Sequence, residues 1–377
     1  MNNKTVRRYL IIFLMILSIF LISCNQYDSE GYQKEVNADY VSNQSEDAKV
    51  KNIILLIGDG MGVNHVEVTK STLADGKKLD LESAEYTSMV STYCLDNVVT
   101  DSAASATAMA TGHKTVYKRL GMDENGEEVK NILEYANEKG LGTGIVTDEE
   151  LFDATPAAFS SHVRQRYTYK NDILDQQVRS KIDLLIGFGD QTYCKYEDQI
   201  KENGFEYVNT KSKFNSTKSS KVFATFPVGD GYESEVPTLY EMADKAIEIL
   251  SKNENGFVLI VECGRIDGAS HDGDIVKMTE QVKMLDKTLR VILNFMRSND
   301  ETMVITTADH ETGGLVIGEG EMNNSWFTDT SSNTEGKHYH TPQDVKLYAF
   351  GTKSKIFDNK NIDNTDIFKI MKEQLGL

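Results

Sequence analysis

Four clusters of acids and histidines, together with one serine, hold the chemistry open to this chain. Asp59 stands among three glycines in Gly58-Asp59-Gly60-Met61-Gly62, and Asp153 and Thr155 share Asp153-Ala154-Thr155-Pro156. Glu262 begins a run that reaches Asp267 and His271, and Asp309 and His310 lie side by side, with His338 and His340 further on. A mixed Asp/His set suits zinc, whereas Asp, Thr and Glu oxygens suit magnesium. Asp267 and His271 are four residues apart, a spacing that puts both on one face of a helical turn, where they can chelate one ion. Ser102 follows Asp101 where an apolar stretch becomes the small-residue run from Ala103 to Gly112. A helix starting there offers free N–H groups to an anion. Each feature alone has a plainer explanation: a helix N-cap for Asp59 or Ser102, a surface ion pair or cap for Asp267 and His271.

Position gives the clusters their weight. The runs 51–57, 142–147, 182–186, 256–261 and 302–307 are short, apolar and bounded by glycine or polar residues, which predicts buried strands. The segments 131–139, 238–250 and 274–296 read as helices, and 346–350 as a closing strand. Residues 204–232, rich in Lys and Ser, lack a clear period and are expected to be peripheral. The polar stretch 323–337, with the only tryptophan, Trp326, is expected as an exposed loop near the site. Strands alternating with helices predict an α/β fold, a three-layer sandwich with a central, mainly parallel sheet and helices on both faces. Asp59, Asp153 with Thr155, Glu262, and Asp309 with His310 all fall at or just past the C-terminal ends of expected strands. That edge is where open α/β sheets bind ligands, and it is the expected place of the metal site.

The chain has 377 residues, 40% of them hydrophobic, enough for a substantial core. Lys4, Arg7 and Arg8 precede an apolar run from Leu10 to Ile22 that ends in Leu21-Ile22-Ser23-Cys24. This predicts a signal peptide over residues 1–23 rather than a membrane span, with an uncleaved anchor as the alternative. The small residues before Cys24 resemble a bacterial lipobox, with Cys24 lipidated as the mature N-terminus. Polar residues 24–49 then read as a flexible tether to a single domain, 50–377, in an extracytoplasmic, membrane-anchored protein. The formal net charge is −18, and loss of residues 1–23 removes three positive charges and no negative ones, leaving −21. Such a balance argues against nucleic acid as a partner and would repel anionic substrates from any site lacking positive charge of its own. With Cys24 lipidated, Cys94, Cys194 and Cys263 remain, room for one disulfide but no framework.

The motifs Gly58 to Gly62, Thr100 to Ala104, Asp153 to Pro156, Glu262 to His271 and Thr307 to His310 resemble, in this order, those of the alkaline phosphatase family. The resemblance covers about residues 50–351. It implies hydrolysis of small-molecule phosphate monoesters through a phosphoserine on Ser102 at a site of two zinc ions and one magnesium ion. By the same resemblance, Asp59, Asp309 and His310 hold the zinc that binds the Ser102 oxygen. Asp267, His271 and His340 hold the second zinc. Thr155 and Glu262, with Asp59 bridging, hold magnesium, and Asp153 holds a magnesium-bound water. Arg166 matches the arginine that clamps two phosphate oxygens, with Arg164 close by in sequence. His340 fits the family pattern better than His338 because Asp344-Val345 follows it. His65, His113 and His162 are expected as packing or capping residues, and Cys263 as a small buried filler.

Two features depart from the family. Some bacterial members carry a lysine directly after the aspartate that matches Asp267, where this chain has Gly268, so Asp153 lacks that partner. The chain is also short for the insertions many members use at a dimer interface, which leaves a homodimer an open expectation. A phosphodiesterase of the same superfamily is the nearest alternative, and a catalytically silent surface lipoprotein the alternative of another class. Ser102-Ala103-Ala104 does not provide the sulfatase pattern.

Overall fold

Ile53 to Ile57 offer no polar side to solvent, and the fold buries all five at the centre of the sheet. The computed structural model describes residues 48–74, 77–228, 235–329 and 338–377. The signal peptide, Cys24 and nearly all of the tether lie outside these residues. Among the described residues, twelve strands follow in chain order. The first six are β1 (Asn52–Gly58), β2 (Tyr86–Ser91), β3 (Gly142–Glu150), β4 (Leu184–Phe188), β5 (Glu206–Val208) and β6 (Val222–Phe226). The others are β7 (Phe257–Cys263), β8 (Thr302–Thr307), β9 (Glu311–Thr312), β10 (His340–Thr341), β11 (Val345–Gly351) and β12 (Lys360–Asp363). Ten form one sheet in the order β12-β2-β11-β8-β1-β7-β3-β4-β6-β5, and β9 and β10 pair separately. Every pairing in the large sheet is parallel except the two made by β11. The result is a mostly parallel central sheet with helices around it.

Local signals account for the helices. Asn131 starts helix Ile132–Glu138 by capping and is capped in return by Glu134, and Thr238 with Glu241 does the same for Leu239–Leu250. The longest helix, Ile275–Arg297, buries Met278, Val282, Leu285, Leu289, Ile292 and Met296, an apolar stripe of three- and four-residue steps.

Two expectations need correction. Residues 204–228 lie at one end of the sheet, as expected, but they are regular structure: β5 is the edge strand, β6 is buried throughout and pairs in parallel with both β4 and β5, and Phe214 of helix Lys211–Ser216 is fully buried. The five-residue run Val222–Phe226 is flanked by lysines and serines that hide its apolar character. Asn323, Asn324 and Ser325 are exposed as expected, and 330–337 lie outside the described residues, but Trp326 is buried, because Gly318 leaves room for its indole: a Cβ there would lie 2.5 Å from Trp326 Nε1. Among the described residues Cys94, Cys194 and Cys263 are free thiols; Cys94 and Cys263 are buried and Cys194 is exposed.

Candidate metal and nucleophile site

Because β1 lies between β7 and β8, the turns leaving these strands are neighbours. Asp59 leaves β1, Glu262 sits in the last turn of the ladder on β7, and Asp309 and His310 leave β8. β3, on the far side of β7, runs on to Asp153 and Thr155 at the start of helix Ala154–Ala158. The plain capping explanations fall away at two positions. Gly62, not Asp59, is the N-cap of helix Val63–Ser71, and Asp101, not Ser102, caps helix Ser102–Thr111 by accepting from Ala104 N–H at 3.1 Å. Ser102 is therefore the first residue inside that helix, with its hydroxyl free for other work.

Two groups of three ligands result. Asp59, Asp309 and His310 are buried, with donor atoms within 4.8 Å of one another. His310 Nε2 lies 3.2 Å from Asp309 Oδ2, 3.5 Å from Asp59 Oδ1 and 3.2 Å from Ser102 Oγ. The second group, Asp267, His271 and His340, is half-buried. Helix Arg265–His271 puts His271 Nε2 3.1 Å from Asp267 Oδ2, and His340 Nε2 lies 3.2 Å from His271 Nε2. His338 stays outside this group; its ring donates to Asp329 O and its backbone carbonyl accepts from His271 Nδ1.

The polar contacts fix all three imidazoles in one sense. His271 Nδ1–H donates to His338 O and His340 Nδ1–H to Thr100 O. Thr312 Oγ1 donates to Asp267 and accepts from His310 Nδ1. Each ring is thus left with Nε2 as a lone-pair donor toward the site, the arrangement of a metal ligand oriented by its second nitrogen. Gly60 is required where the groups meet. Its φ is +72°, and a Cβ would lie 2.8 Å from both Asp267 Oδ1 and Thr312 Oγ1.

The oxygens left over point to cations. Asp309 Oδ1 accepts from Gly60 N–H and His310 N–H, and Glu262 Oε2 accepts from Thr147 Oγ1. Asp59 Oδ1, Asp309 Oδ2, Glu262 Oε1 and Thr155 Oγ1 are buried with no hydrogen-bond partner. Four such atoms converging on one edge violate the rule that buried polar groups are paired, unless positive ions complete them. Burial, then repulsion from Asp309, Asp267, Glu262 and Asp153, pushes the Asp59 carboxyl well above its usual range. Asp309 is raised to about 7 by burial and by Asp267, and burial raises Glu262 strongly. Asp267 goes the other way. Burial opposes its charge, yet the neighbouring His271, His340 and His310 hold it below the usual range.

Arg166 reaches into the same edge and pairs with Asp153, whereas Arg164 is exposed. Asp153 thus has a cationic partner despite Gly268, beside which a Cβ would meet open space. Of the other histidines, His65 is fully buried with Nε2 3.1 Å from Ser270 Oγ, and burial lowers it to about 4. His162 bonds Gly121 O and Glu134, while His113 is exposed just beyond its helix. Cys263 is buried as expected, and burial raises its thiol. Sequence reasoning missed Thr312, Thr147 and Glu311. The buried Glu311 carboxylate accepts from Gly314 and Leu315 N–H and from Thr341 Oγ1, fastening the segment after His310 to the residue after His340. Adjacency to His310 and His340 was the only signal for it.

The alkaline phosphatase family model matches residues 50–339. The chain belongs to the alkaline phosphatase family. Alkaline phosphatase 3 of Bacillus subtilis is 34% identical over 83% of this chain and 72% of its own length. Alkaline phosphatase 4 of the same organism is 36% identical over 74% of this chain, which spans 66% of that relative. The solved alkaline phosphatase from the Antarctic bacterium TAB5 superposes with a TM-score of 0.76 at 26% identity, over 87% of this chain and 99% of its own. Membership places the chain among enzymes that act on phosphate monoesters.

Proposed function

We propose that this chain hydrolyses phosphate monoesters through a phosphoserine on Ser102, at a site for two zinc ions and one magnesium ion. The observation that carries the reading is the set of orphaned buried oxygens around two three-ligand groups, one of them in contact with Ser102 Oγ. Asp59, Asp309 and His310 would hold one zinc ion, and Asp267, His271 and His340 the other. Glu262, Thr155 and Asp59 would hold magnesium, with Asp153 holding a water on it. Bound there, the cations would offset the buried carboxylates and supply Lewis-acid charge to the attacking and departing oxygens.

The chain's own residues do the rest. Ser102 Oγ attacks phosphorus in line as the ester P–O bond breaks, and the alcohol leaves with a proton. Water then attacks the phosphoserine and restores the hydroxyl, releasing phosphate. The N-terminal end of helix Ser102–Thr111 favours the anion. Arg166 supplies a planar fork for two phosphate oxygens, and its pairing with Asp153 holds it extended toward the site. These positive groups answer how an acidic protein can receive an anionic substrate. The proposal extends to an extracytoplasmic protein tethered through lipid on Cys24, supported by the lipobox-like segment alone.

The test is hydrolysis of an aryl phosphate monoester and the matching diester by a chain lacking residues 1–24. It is run at mildly alkaline pH with zinc and magnesium, with and without a chelator. Fast, chelator-sensitive monoester cleavage is expected. Diester preference would move the protein to the sister activity, and no turnover with metals bound would leave a silent binding protein.

A further inference from the structure

Two exposed tyrosines border the site on segments that the backbone ties to the Ser102 helix. Lys118 N–H donates to both carboxylate oxygens of Asp101, at 3.0 and 3.2 Å, and Lys118 O accepts from Arg166 N–H at 3.0 Å. Lys118 thus links the residue before Ser102 to the arginine at the phosphate position. It does so in the left-handed region, at φ +66°, a conformation that non-glycine residues keep only where the surroundings enforce it. The constraint fixes the neighbouring side chains. Lys118 Nζ lies 5.2 Å from the ring centroid of Tyr117 and 5.5 Å from that of Tyr167, and the Arg166 guanidinium lies 4.8 Å from the Tyr167 ring. Tyr117 is 39% exposed and Tyr167 64%. Both exposed rings therefore flank the Lys118 ammonium, and Tyr167 directly follows Arg166 in the chain.

We propose that Tyr117, Lys118 and Tyr167 form the subsite for the alcohol part of the substrate, and that this subsite takes a planar nucleobase, as in a nucleoside monophosphate. The inference rests on the phosphomonoesterase reading above and deepens it. Exposed tyrosine rings suit stacking by any base, because every base presents a π-face. Lys118 adds donors for ring nitrogens or carbonyls, and it is compatible with the overall anionic ligand. With the phosphate between Ser102 and Arg166, Tyr167 is the first exposed residue beyond the clamp.

The test compares adenosine 5′-monophosphate with ribose 5-phosphate in the metal-loaded enzyme. Both leave as primary alcohols of the same sugar, so a difference in kcat/KM reports on the base. The wild type is expected to favour the nucleotide by about five-fold or more, the scale of a single base–aromatic stack. Tyr167→Ala should bring the ratio toward one, and Tyr167→Phe should keep it. A wild-type ratio of one, or a ratio unchanged in Tyr167→Ala, would overturn the subsite while leaving the phosphatase intact. Turnover of neither sugar phosphate would overturn the underlying reading and the subsite with it. A dimer that Tyr167→Ala converts to monomer in light scattering would assign the rim to a second copy and overturn the proposal.

Discussion

The two ligand groups are built from the same residue types in opposite proportions. Asp59, Asp309 and His310 set two carboxylates against one imidazole, with side chains 8%, 0% and 0% exposed. Asp267, His271 and His340 set one carboxylate against two imidazoles, at 18%, 27% and 13%. The inner group cannot neutralise itself: its acids are raised in pKa and two of its oxygens have no partner. The outer group places its one acid 3.1 Å from His271 Nε2 and 3.6 Å from His340 Nε2, and that acid keeps a pKa below its usual range. The inner group's charge balance thus depends on a cation, while the outer group, with a single carboxylate, has less charge for a cation to offset.

The sharpest way to probe this contrast is at Ser102. Ser102→Ala should lower turnover by at least about 10³-fold while metal content, measured by atomic emission, stays near that of the wild type. Loss of metal along with activity would mean that Ser102 Oγ is structural to the inner group. Next in size, Asp309→Asn should cost more activity and more bound zinc than His271→Ala, by roughly 10-fold or more, because only the first strips charge from the buried group. Equal losses would erase the distinction.

The pH response separates the groups by sign. Asp59, Asp309 and Glu262 have folded-state pKa values above their unfolded ones, so the metal-free fold binds more protons than the unfolded chain. Stability of the chelator-treated protein should therefore fall as pH rises from about 4 through 7, and zinc with magnesium should cancel the decline. Thermal scans at pH 5 and 8 check this, and a metal-free protein that gains stability over that range would contradict it. The smallest effect serves as a control away from the site. Asp286, raised to about 7 by burial and by Asp80, accepts from Leu81 N–H at 3.1 Å. Asp286→Asn keeps an acceptor there without charge. It should leave stability near wild type at pH 5 and raise it by roughly 1–3 kcal/mol at pH 8, with or without metal.

Much of this was legible because burial and alternation leave marks on sequence. β1, β7 and β8 have almost no polar residue before their C-terminal ends, so an acid there stands out. The four-residue step from Asp267 to His271 stands out for the same reason. Support by hydroxyls leaves no such mark. Thr312 and Thr147 act through one oxygen each, and threonine is common in strands whatever it touches. β6 was missed because a single short apolar run must outweigh many charged neighbours. Trp326 was misplaced because its cover, Gly318, lies in a separate polar stretch. The partner of Asp153 was beyond sequence reasoning, since nothing local says which cation Arg166 or a lysine would be.

The reversed strand β11 also makes the early strand β2 depend on a distant part of the chain. β2 pairs only with β11 and β12, so a segment synthesised early has no strand beside it until residues 345–363 emerge. The helix that opens with Ser102 waits on the same stretch: Asn364 Nδ2 donates to Ser105 Oγ at 2.9 Å, and Phe368 packs against Gly112. A chain ending at residue 344 would hold every candidate ligand and the serine, yet its serine segment would lack these neighbours.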